Sequence, residues 1–126
     1  MYTALVLTEK SRTKLMSRMR DFMPNDWEII AHHMTINMGN VSNGPLARHR
    51  NALGTPESLV VVGWAQDDKV FAVLVESTIP SVNKNKHVTI AVNRNGGGKP
   101  FHSNNLTNWE KLSEPFSLRG SIQEVR

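Results

Sequence analysis

A chain of 126 residues, 39% hydrophobic and 21% charged, is long enough for one sizeable core and too short for two independent ones, so residues 1–126 are expected to form a single domain. The formal charge of +4 and an isoelectric point near 9.8 favour an anionic partner such as nucleotide or RNA, although a mildly basic surface also serves solubility. The absence of cysteine removes disulfides, thiolate metal sites and cysteine nucleophiles, and no apolar run reaches membrane-spanning length.

Tyr2 to Thr8 alternates in the manner of a strand. The opening residues lack a basic n-region and a cleavage signature, so they read as sheet rather than a secretory signal, and the expected location is the cytoplasm of a cell or of a virus-infected host. Thr8 or Ser11 is placed to cap a helix carrying Leu15, Met16, Met19, Phe22 and Met23 on one face and ended by Pro24. Its Arg12, Lys14, Arg18 and Arg20 read as a solvated face, because no aromatic residues interleave with them.

A strand follows from Trp27 to Met38, and the polar, Gly- and Asn-rich stretch from Gly39 to Gly54 is expected to loop over the active face. Its Arg48-His49-Arg50 reads as surface charge before it reads as a phosphate clamp. Leu59 to Ala65 and Val70 to Glu76 form a hairpin around Gln66-Asp67-Asp68-Lys69, with Trp64 assigned to core packing rather than to base stacking. Ile79 to Lys86 leads into a strand from Lys86 to Asn93. The loop Asn95-Gly96-Gly97-Gly98-Lys99-Pro100 is either a phosphate cradle or a connector, and lacks the spacing of a P-loop. A short helix over Ser103 to Leu112, containing Trp109, and a strand from Phe116 to Val125 with a bulge at Gly120 complete the order.

Two of these strands repeat one pattern. His33-Met34-Thr35-Ile36 returns fifty-four residues later as His87-Val88-Thr89-Ile90. In a strand, residues two apart share a face, so His33 projects with Thr35 and His87 with Thr89, while the aliphatic residues point into a core. Five His and eight Thr in a chain of this length give about 0.3 chance matches to His-x-Thr, so one copy carries little and two carry more. Two imidazoles and two hydroxyls suit a tetrahedral phosphate: one His removes a proton, the other protonates the leaving oxygen, and the hydroxyls hold non-bridging oxygens, with neither metal nor cofactor required. Either imidazole can take either role. His32, adjacent to His33, is expected to point the opposite way and to be structural.

These motifs resemble the two-histidine (2H) phosphoesterases, and more closely the Swiss Army Knife RNA repair-like proteins, the cyclic phosphodiesterase modules of tRNA ligases and small viral anti-defence phosphodiesterases. The similarity is carried by Tyr2 to Leu7, His32 to Ile36, His87 to Asn93, Gly98-Lys99-Pro100 with Ser103, and Leu118 to Val125. It implies His33 and His87 as the acid/base pair, Thr35 and Thr89 as phosphate ligands, and Tyr2 and Lys99 as further substrate contacts. It also implies metal-independent action on a nucleotide phosphodiester: a cyclic oligonucleotide signal, a 2′,3′-cyclic phosphate or a 2′-5′ linkage.

The expected fold is α+β, a mostly antiparallel sheet in two pseudo-symmetric halves around a central cleft. A sensor or sponge that binds nucleotide without cleaving it, and an RNA-end repair factor, compete with the hydrolase. A metal hydrolase built on His32, His33 and His87 ranks last, since adjacent strand residues diverge and no carboxylate accompanies them.

Overall fold

Seven strands and one α-helix make up the regular structure of residues 1–126 in the computed structural model. In chain order they are Tyr2–Leu7 (β1), Glu9–Met19 (α1), Glu28–Ile29 (β2), His33–Met38 (β3), Pro56–Gln66 (β4), Val70–Glu76 (β5), His87–Val92 (β6) and Glu110–Val125 (β7). Ladders run from β1 through β3, β6, β5, β4 and β7 back to β1, every pair antiparallel, with β2 attached to β6.

The architecture is therefore a closed six-stranded barrel with one extra strand, 43% strand and mainly β, which corrects the expected α+β fold of two sheet halves. The reason lies in β7. The stretch read as a helix from Ser103 to Leu112 is a 3-10 segment, Pro100–Asn105, and its last residues belong to a sixteen-residue strand. That strand is long enough to pair with β4 from Glu110 onward and with β1 as far as Val125, so one element joins what would have been separate halves. Alternation in a sequence shows which face is buried and leaves open which edges meet.

Alternate residues fill the interior, including Leu5 and Leu7 from β1, Met34 and Ile36 from β3, Phe71 and Val73 from β5, and Val88 and Ile90 from β6. Helix α1 packs its Leu15 and Met19, both fully buried, against this core. Each such side chain contributes about 2 to 3 kcal/mol on burial, and Leu15→Ala would cost about 2 to 5 kcal/mol through the cavity left behind. Thr8 caps α1, its Oγ1 accepting from the Ser11 N–H at 3.1 Å, while the Ser11 hydroxyl accepts from the Arg119 N–H at 2.7 Å.

A second, smaller cluster of Ala65, Val70, Ala72, Val92 and Leu106, with Trp109 against it, covers the outer side of β5 and β6. All six residues of β6 are buried. Gly120 marks no bulge. Its register is regular against both β1 and β4, and a Cβ there would sit 2.4 Å from the Val6 carbonyl oxygen, so glycine permits two backbones to approach. The irregularity of β7 lies between Lys111 and Phe116, where Pro115 is accommodated.

Candidate active site

The segment read as one strand from Trp27 to Met38 is broken at Ile30 to His32. From the Ile29–Ala91 register pair to the Met34–Val88 pair it advances five residues while β6 advances three, so two residues are extra. Ala31 takes up the kink with φ of 43°, a left-handed conformation unfavourable for a residue with a Cβ. Arg12 of α1 braces it: Nε donates to the Ala31 carbonyl at 3.0 Å and a terminal nitrogen to the Ile30 carbonyl at 3.3 Å. The helix's basic residues are thus more than a solvated face, since Lys14 also donates to the Ser117 carbonyl and Arg18 lies over the Phe116 ring.

Beyond the kink, the pairing of Met34 with Val88 centres one His-x-Thr triplet on the other. Antiparallel register there sets His33 beside Thr89 and Thr35 beside His87, on the face opposite the core residues Met34 and Val88. All four side chains line one cavity of about 220 Å³ on the outer wall of the barrel, together with Tyr2. Its cover comes from Val82 and Asn83 on one side and Pro100, Phe101 and Asn104 on the other. The expected cover, Gly39 to Gly54, contributes no residue to it, and Arg48, His49 and Arg50 lie exposed elsewhere.

Each ring is held differently. The His87 Nδ1 donates to the Asn85 carbonyl at 2.7 Å, leaving Nε2 as the nitrogen open to a ligand. The Nδ1 of His33 lies 2.9 Å from that of His32 and 3.5 Å from the Tyr2 hydroxyl, with the Tyr2 and His33 ring centroids 4.6 Å apart. His32 therefore does not diverge from its neighbour as a regular strand would require; the kink at Ala31 lets both rings meet. Thr89 shares a hydrogen bond with the Ser103 hydroxyl at 2.7 Å and lies 3.4 Å from the Pro100 carbonyl, which ties the second triplet to the 3-10 segment over it. The Thr35 hydroxyl makes no hydrogen bond within the protein, and the Thr35 carbonyl accepts from Ser81 at 2.7 Å.

Burial, with the charges of His32 and His87 adding in the same direction, lowers the pKa of His33 to about 4. Burial also lowers that of His87, opposed by the Asn85 carbonyl, which favours the imidazolium. Tyr2 is pushed up by burial and stays a neutral phenol at ordinary pH.

Lys99 is exposed and is not a cavity-lining residue. The glycine-rich loop before it is folded on itself: the N–H groups of Gly96 and Gly98 donate to the Asn93 carbonyl and that of Gly97 to the Arg94 carbonyl, while Lys69 bonds the Gly96 carbonyl. Its donors are thereby engaged in a turn against the β4–β5 hairpin. Trp64 stacks on Phe71 at 5.7 Å and meets Phe22, as a core residue would. Trp109 lies 6.4 Å from His87, ring centre to ring centre, with its Nε1 buried and unpartnered. No group of three or more His, Asp or Glu side chains converges on a metal-holding position.

Sequence reasoning missed Arg12, Asn85 and Ser103 as supports of the site and assigned His32 to the wrong side. Only Ser103 left a trace, as the end of the Gly98-Lys99-Pro100-x-x-Ser103 stretch.

No protein-family model matches the chain, and no curated protein matches it. Among solved structures, a fungal RNA kinase is similar over 96% of this chain, with a TM-score of 0.63 and 14% sequence identity. The chain spans 44% of that kinase's length. At such identity the likeness is one of fold. No helix is long and apolar enough to cross a membrane.

Proposed function

We propose that this cleft hydrolyses a nucleotide phosphodiester by histidine acid/base catalysis without a metal, in the manner of the 2H phosphoesterases that the motifs resemble. The supporting observation is the Met34–Val88 pairing, which brings two imidazoles and two threonine hydroxyls to one cavity of suitable size for a phosphate and its ribose.

The unequal surroundings of the rings divide the labour. His33, held neutral by burial and by the nearby His32 and His87, takes a proton from water or from a ribose hydroxyl as that oxygen attacks phosphorus. His87, whose imidazolium is steadied by the Asn85 carbonyl, gives the Nε2 proton to the departing oxygen as its bond to phosphorus breaks. Thr35 and Thr89 hold the non-bridging oxygens, and the Tyr2 hydroxyl orients His33 or meets the substrate. Lys99, exposed outside the cavity, serves substrate only by reaching it from the rim.

Incubating the protein with 2′,3′-cyclic, 2′-5′-linked and cyclic oligonucleotides in excess EDTA, then identifying products, tests this reading. New phosphomonoester or cyclic phosphate ends are expected. Tight binding with every substrate intact would replace the hydrolase by a nucleotide sponge, and activity that only a divalent ion restores would remove the metal-free mechanism.

A further inference from the structure

A second cavity, of about 340 Å³, opens beside the first and shares Val82, Asn83, His87 and Asn104 with it. Tyr2, His33 and Thr35 line only the first; Lys84, Asn85 and Ser103 line only the second. His87 thus stands on the boundary while His33 does not. Building on the proposed hydrolysis, we infer that the second cavity is the subsite for the leaving nucleoside, and hence that the substrate class is an internucleotide phosphodiester rather than a nucleoside 2′,3′-cyclic phosphate.

The argument is one of direction. An acid that protonates the departing oxygen must sit beside it, and whatever that oxygen carries must continue past the acid. Past His87 lies a cleft within the size range of small-ligand sites. In a 2′,3′-cyclic phosphate the departing oxygen stays on the same ribose, so such a substrate leaves this space unused.

The lining has the chemistry of a nucleoside. The side-chain amides of Asn83 and Asn104, and that of Asn85, make no hydrogen bond within the protein, although Asn83 and Asn85 are half-buried. Each carries one acceptor and two donor hydrogens, the combination that pairs with base edges and ribose hydroxyls. Their backbones are nevertheless fixed: the Asn83 N–H donates to the Ser81 hydroxyl at 3.0 Å, that hydroxyl donates to the Thr35 carbonyl, and the Asn85 carbonyl receives His87. The segment that orients the acid therefore also presents the amides. Only Val82 in this lining is apolar, and Lys84 places an ammonium where a flanking phosphate would pass.

The test compares leaving groups on one attacked phosphorus: adenylyl dinucleotides with 3′-5′ and 2′-5′ linkages and a 3′-phosphate on the leaving nucleoside, their methyl-ester counterparts in which methanol leaves, and adenosine 2′,3′-cyclic phosphate. For at least one linkage, kcat/KM should favour the dinucleotide over the methyl ester by tenfold or more, and the double variant Lys84→Ala, Asn104→Ala should bring that ratio close to one. A ratio near one in the unmodified protein overturns the inference without need of any variant. Cleavage of the cyclic phosphate with both dinucleotides intact also overturns it while leaving the hydrolase reading standing. Failure to cleave any of the compounds, with intact cyclic oligonucleotides as well, removes the hydrolase reading and this inference together.

Discussion

The Nδ1 atoms of His32 and His33 lie 2.9 Å apart, so one ring donates its hydrogen to the other and the two rings set each other's tautomer. His32 also lowers the pKa of His33 by its charge. His32→Ala removes that charge and opens the site to water, and both changes move His33 back toward its ordinary 6.5. The acid limb of the pH–rate profile should accordingly shift to higher pH, whereas an unmoved limb would detach His32 from the chemistry.

With His33 acting as base and His87 as acid, rate requires the first neutral and the second protonated. It should rise through about pH 4 as His33 loses its proton and fall through the pKa of His87, which lies below 6.5. A bell with a mildly acidic optimum is expected. Activity still climbing between pH 7 and 8 would count against this pair.

Replacing His33 or His87 by Ala should reduce turnover about a hundredfold or more, the usual share of a positioned acid or base, with circular dichroism unchanged. Near-normal rates in both variants would end the two-histidine mechanism.

The same burial makes stability depend on pH. His33 has a folded pKa of about 4 against an unfolded value near 6.5, so on acidification the unfolded chain gains its proton first. Stability is unaffected by His33 above pH 6.5 and falls by roughly 3 kcal/mol as pH drops toward 4. His87 acts in the same direction. Urea midpoints at pH 7 and pH 4.5 measure the loss, which should shrink in His33→Gln; an equal loss in that variant would assign it to other groups.

Arg12→Ala removes both donors to the kinked backbone at Ile30 and Ala31 and should cost about 1 to 2 kcal/mol, given that charged hydrogen bonds are worth more than neutral ones and that this side chain is partly exposed. Because the kink aims His32 and His33, kcat should fall further than stability alone explains under conditions where the variant is fully folded. Gly120→Ala is expected to be worse for folding, by about 2 to 4 kcal/mol, since its Cβ collides with main chain that has nowhere to move. Thermal unfolding of both variants tests the order.

Much of the site was legible because strand alternation is local. His33 with Thr35, and His87 with Thr89, could be placed on shared faces from a period of two. Three things escaped for physical reasons. The barrel's closure depends on edge pairing between β3 and β6 and on the length of β7, neither of which hydropathy encodes. The proximity of His32 to His33 comes from two extra residues and an unfavourable φ at Ala31, held in place by a distant Arg12, and nothing in Ala31-His32-His33 announces it. The glycine run before Lys99 left a phosphate cradle and a connector equally open because glycine permits both; Asn93 and Lys69 engage its main chain.

The β3–β6 contact has a single register pair, fewer than any other ladder of the barrel. The cylinder is thus zipped most thinly along the line where both His-x-Thr triplets sit. A phosphodiester gripped from either side would act as a stitch across that seam, so occupancy should be felt as slower amide hydrogen exchange at Met34 and Val88.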